Sequence, residues 1–100
     1  VPPARTVDGF RIQVFTSSEK AEADAQAAEV EQWWAGLSAS ERPAGLRQDA
    51  APVTVAWRQP YYRVRVGTFV SRGEAEQALP LLRRHFGSAF IVPDRVTVVR

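Results

Sequence analysis

The stretch Tyr61-Tyr62-Arg63-Val64-Arg65-Val66-Gly67-Thr68-Phe69 limits what this chain can fold into more than any other. Tyr62, Val64 and Val66 alternate with Tyr61, Arg63 and Arg65. That period of two marks a half-buried strand. One face is apolar and belongs against a core. The other carries a tyrosine ring and two guanidiniums. A weaker copy stands early in the chain, Phe10-Arg11-Ile12-Gln13-Val14-Phe15-Thr16. There Phe10, Ile12 and Val14 take the inward places, and Arg11, Gln13 and Phe15 point outward. Each stretch leads into a helical pattern, which suggests a pseudo-repeat.

The chain in order completes the picture. Residues 1–8 hold two prolines and little periodicity and read as a tail or linker. Asp8-Gly9 is a turn signal before the first strand. Thr16-Ser17-Ser18-Glu19 fits a capping box, with Thr16 as N-cap. A helix is expected from Ser17 to Leu37, with Ala21, Ala25, Ala28, one of Trp33 and Trp34, and Leu37 at helical spacing. Ser38 to Pro52 reads as a loop, long for a compact domain. Val53–Trp57 is a second strand, joined through Arg58-Gln59-Pro60 to the central one. Ser71-Arg72-Gly73-Glu74 is a second capping box. The helix after it, to Phe86, aligns Ala75, Ala78, Leu79, Leu82 and Phe86. Pro80 predicts a kink or break in it, and Gly87 suits its C-cap. Ala89–Val92 is the last strand, stopped by Pro93-Asp94. Residues 94–100 form an extension, with Val96, Val98 and Val99 fit for an extra strand.

The order is strand, helix, strand, strand, helix, strand. It predicts an α+β, ferredoxin-like fold: a four-stranded antiparallel sheet with both helices on one face. Phe10, Ile12, Val14, Val64, Val66, Leu79 and Leu82 are expected in the core. Arg11, Gln13, Thr54, Ala56, Arg63, Arg65 and Ile91 are expected on the open face, bordered by Tyr61. Trp57 falls inward by alternation. The folded unit is expected over residues 9–93.

Composition narrows the function. One hundred residues suit a single domain with one modest core. There is no Cys, which removes disulfides, thiolate catalysis and Cys-ligated zinc. No apolar run approaches the ~20 residues of a membrane helix. The chain opens at Val1 without a signal-peptide pattern, so it is expected to be a domain of a larger protein whose targeting or anchoring segment lies elsewhere. Charge is uneven: residues 1–50 carry 5 basic and 8 acidic groups, residues 51–100 carry 8 and 3. The basic half contains the strand with the two outward arginines. No catalytic set is visible. Ser17, Ser18 and Ser71 read as caps, and Glu74 and Glu76 are two apart on a helix and do not face each other. The lone His85 lacks metal partners and suits a helix end. No enzyme activity, cofactor or metal is expected.

These pieces, in their order and spacing from about Gly9 to Val92, resemble a SPOR domain. The resemblance rests on Phe10–Val14, Tyr62–Phe69, the Ala75 helix and Ala89–Val92. It implies binding to bacterial peptidoglycan, at glycan strands whose stem peptides have been removed, as found where dividing cells split their septum. It implies the open sheet face as the binding surface. Carried over residue by residue, it assigns Gln13 and Thr16 on the first strand, Tyr61 and Arg63 on the third, and Ile91 on the last. In this chain Phe15 stands where the family's first strand continues into Gly, and Tyr61 where Trp is common. It also implies a place in the cell envelope, with membrane attachment only through parts of the parent protein outside this chain.

The chemistry is compatible. Sugar rings offer flat C–H faces to aromatic rings, and hydroxyls and amides to Gln and Arg. Removing a stem peptide leaves a lactyl carboxylate, which Arg63, Arg65 or Arg11 can meet in a charge-assisted pair. Two rivals share the fold. An RNA-recognition module needs a Lys/Arg-Gly-aromatic pattern and several outward aromatics on its third strand; Tyr61–Thr68 offers arginines instead, so nucleic acid is not expected. A protein-interaction module would use a sheet edge or the tryptophan-bearing helix. A monomer is expected, and an open sheet edge is the route to a dimer.

Overall fold

The computed structural model describes residues 4–38, 40–41 and 53–99. Most of the loop expected over Ser38–Pro52 lies outside these residues. The elements are β1 (Ala4–Ser17), α1 (Lys20–Ala35), β2 (Val53–Arg58), β3 (Tyr61–Phe69), α2 (Arg72–His85) and β4 (Phe90–Val99). The strands form one antiparallel sheet in the order β2-β3-β1-β4. The two alternating stretches are thus its central pair. Both helices pack on the face carrying Ile12, Val64, Val66 and Phe69, in one cluster with Ala23, Val30, Trp34, Ala75, Ala78 and Leu82. This is the expected α+β, ferredoxin-like arrangement.

The first and last strands are both longer than the alternation predicts. β1 begins at Ala4, within the stretch read as a tail, and β4 runs on through Pro93-Asp94 to Val99. They pair without interruption from Ala4 opposite Val99 to Gln13 opposite Phe90. Pro93 does not stop β4 because β4 is an edge strand, where a proline need not break the ladder. Gly9 is needed where the two cross the end of β3: a Cβ there would lie 2.4 Å from the Phe69 carbonyl oxygen and 2.6 Å from Val96 Cγ2.

The helices confirm one capping box and correct the other. Ser71 caps α2, its Oγ accepting the Glu74 amide at 3.3 Å, and Glu74 accepts the Val70 amide at 3.1 Å. Thr16 caps nothing; it remains in β1. Ser17 does the work at the start of α1, its Oγ accepting the Glu19 amide at 3.0 Å while its hydroxyl donates to Glu22. α2 runs through Pro80 without a break and ends on Phe86 rather than Gly87. α1 buries Ala23, Val30 and Trp34, with Ala27, Trp33 and Leu37 beside them. Ala21, Ala25 and Ala28 are exposed. Alanine is too small to set the rotation of a helix, and the large Val30 and Trp34 decide it. Trp33 stacks on His85 at 5.8 Å and closes the junction between the helices. Trp57 lies opposite Tyr62 and meets its ring at a tilt, centroids 4.5 Å apart, but is 53% exposed rather than core.

The open face of the sheet

Two irregularities in the β1–β3 ladder determine what the uncovered face displays. Phe10 lies opposite Phe69, but Ile12 lies opposite Val66, so β3 carries one extra residue around Gly67-Thr68. Gly67 has φ 92°, a conformation open to glycine, as expected at a bulge of this type. Gln13 lies opposite Arg65, but Phe15 lies opposite Val64, so β1 carries the next extra residue at Val14.

The Val14 bulge resets the alternation. In a regular strand, residues three apart point to opposite faces. Here Val14 and Phe15 both join the core side, and Thr16 comes to the open face with Gln13. Phe15 therefore does not point outward as the plain alternation predicts. Gln13 Nε2 donates to Thr16 Oγ1 at 3.1 Å, a contact that only the bulge permits.

On this face a polar network crosses three strands. Arg65 Nε donates to Gln13 Oε1 at 3.1 Å, and Arg65 Nη1 to Asp94 Oδ2 at 3.3 Å. Arg11 Nε donates to the same Asp94 oxygen at 3.1 Å, and Arg11 Nη1 to the Gly67 carbonyl at 2.8 Å. Asp94 Oδ1 accepts the Arg95 amide at 2.8 Å. The side chains of Arg11, Arg65 and Asp94 are only 15%, 12% and 22% exposed, so these pairs are sheltered from screening.

Arg63 differs. It lies opposite Thr16 on one side and Ala56 on the other. It is half-buried and has no side-chain hydrogen bond or ion pair among the described residues. Tyr61, 43% exposed, stands two places along on the same face. Thr54 lies opposite Arg65 and so shares this face.

The expected residues thus fall into three groups. Thr16, Arg63 and Tyr61 form an accessible patch. Gln13, Arg65 and Arg11 lie on the open face but are engaged with one another, through Asp94 and the backbone. Ile91 is not on this face: it lies opposite Ile12 and packs against the core on the helix side. Phe90, opposite Gln13 and 47% exposed, and Val92, opposite Arg11, take the outward places on β4. The run Ala89–Val92 is apolar throughout, so it has no alternation to set its phase, and the pairing with β1 decides. Asp94 was hidden by its neighbour, since Pro-Asp reads as a stop. Its signal is that it is the only acid after Glu76, in a segment with four arginines.

An uncovered sheet face with donors, an Arg63 guanidinium without a partner among the described residues, and aromatic borders suits a polar, ring-bearing ligand. Comparison with known proteins agrees. The family model for the SPOR domain matches residues 6–93. No curated protein and no solved structure matches the chain. SPOR domains are a peptidoglycan-binding family, generally non-catalytic, found in bacterial cell-envelope proteins. With its fold, element order and nearly all of its length accounted for, this chain belongs to the SPOR domain family.

Proposed function

We propose that this domain binds glycan strands lacking stem peptides, through the open face, and that Arg63 reads the carboxylate exposed when a peptide is removed. The observation that carries this reading is the unpaired Arg63 directly opposite Thr16. A carboxylate placed over that pair accepts from the guanidinium and from the threonine hydroxyl. Hydrogen bonds to charged groups are worth about 1.5–3 kcal/mol. A peptide amide in the same place offers no charge and forgoes the charge-assisted part. Arg11 and Arg65 are less suited to this role, because both already share the Asp94 carboxylate.

Tyr61 and Phe90 flank the polar centre as apolar platforms for sugar faces. Phe90 takes the place that the resemblance gives to Ile91. Among the described residues no helix is long and apolar enough to cross a membrane; binding of stripped glycan strands directs this domain to the cell envelope at the division septum.

Pull-down on amidase-treated sacculi, untreated sacculi and RNA tests the proposal. Enrichment on the treated sacculi is expected. Equal retention on both sacculi overturns the stem-peptide preference, and retention on RNA alone overturns the ligand class.

A further inference from the structure

The open face spends one carboxylate on two guanidiniums. We infer that Asp94 is a positioning residue that sets both the charge and the hydrogen-bonding polarity of the binding face. The inference rests on the glycan-binding reading for its ligand, but the geometry behind it is internal to the chain.

Charge comes first. Three arginines, Arg11, Arg63 and Arg65, share the central part of this face. Asp94 Oδ2 holds Arg11 Nε and Arg65 Nη1 at 3.1 and 3.3 Å. Within this group the net charge is therefore +2 instead of +3, and Arg63 is the guanidinium left without a partner among the described residues. Without Asp94 three free guanidiniums would attract any polyanion; with two of them held, a negative charge gains most over Arg63.

Polarity follows through the chain of donors. An arginine Nε–H can only donate, so the Gln13 atom facing Arg65 must be its carbonyl oxygen. The Gln13 amide nitrogen then faces Thr16 and donates to its hydroxyl oxygen. The Thr16 hydroxyl hydrogen remains for an outside acceptor, beside the N–H groups of Arg63. Asp94 thus reaches Thr16 through Arg65 and Gln13. It makes the Thr16–Arg63 pair a donor site, which takes carboxylate or acetamido oxygens.

The test uses the whole chain and three probes: poly-glutamate at graded salt, treated sacculi and untreated sacculi. Asp94→Asn keeps the shape and removes the charge. It is expected to bind poly-glutamate up to about fivefold more tightly, the upper range for freed surface charges, with steeper salt dependence. The ratio of treated to untreated sacculus binding is expected to fall. Glu31→Gln on the exposed side of α1 makes the same net-charge change far from the face and is expected to alter neither readout. Asp94→Glu, which keeps the charge, is expected to restore both. Equal poly-glutamate retention for Asp94→Asn and Glu31→Gln overturns the inference. If Asp94→Asn does not fold, Arg65→Gln decides: as a positioning residue it weakens sacculus binding while the salt dependence stays at the wild-type slope, whereas a lowered slope means Arg65 touches the ligand and overturns the inference. If the wild-type chain binds no sacculus, the glycan reading fails, and the poly-glutamate comparison still decides the role of Asp94.

Discussion

The two ends of the open face use the same residue type in opposite ways. At the Asp94 end, Arg11 and Arg65 are nearly buried and each is held by a carboxylate and by a further acceptor. At the other end, Arg63 is equally part of β3, two places from Arg65, and is left without a partner among the described residues. A paired, sheltered guanidinium has already exchanged water for protein, and a ligand gains little by approaching it. An unpaired one still has that exchange to make. The position of one aspartate, not the count of arginines, therefore separates framework from site.

The comparison is broken most severely at Gly9, which lies opposite Asp94. Gly9→Ala forces a methyl group against the Phe69 carbonyl and Val96. It is expected to cost about 3 kcal/mol, as overpacking does, read as a lower urea midpoint at unchanged slope. The next effect lies at the other end. Arg63→Gln is expected to lose about 2 kcal/mol of affinity for treated sacculi with the melting temperature unchanged; a lowered melting temperature with intact binding would make Arg63 framework too. On β4 a paired substitution separates faces. Ile91→Ala is expected to cost about 2 kcal/mol of stability and no affinity, while Phe90→Ala costs about 1 kcal/mol of affinity and no stability. The opposite pattern would return Ile91 to the site. The smallest effect is at Thr16. Thr16→Val keeps the shape and removes the hydroxyl, for about 1 kcal/mol of affinity, detectable by titration with soluble glycan.

Legibility followed contrast between neighbouring side chains. In Tyr61–Val66 arginine alternates with valine, so both the strand and its faces could be read directly. Ser71 and Glu74 mark a helix start by local chemistry, which needs no tertiary information. Where contrast is lost, the reading drifts. Phe15 and Thr16 change faces because Val14 is an extra residue, and an extra apolar residue in an apolar strand looks like one more step of the same strand. The face of Ile91 is set by its partner Ile12 across the sheet. The Asp94 network joins residues 83 and 29 positions apart, a distance at which no local pattern carries information.

The paired irregularities of the central ladder have a consequence for engineering. The pair Phe10–Phe69 and the pairs from Phe15–Val64 onward share one common register, because the surplus on β3 and the surplus on β1 cancel. Only the segment between them is offset, and it contains Arg11, Gln13, Arg65, Gly67 and Thr68. The segment is thus a cassette with matching ends. It preserves the pairing register at both ends but not the alternation: Phe10 and Phe15, five residues apart, both join the core side, so a plain ladder of the same length would turn one flank to the other face. Moving half of it would leave the host strands one residue out of step.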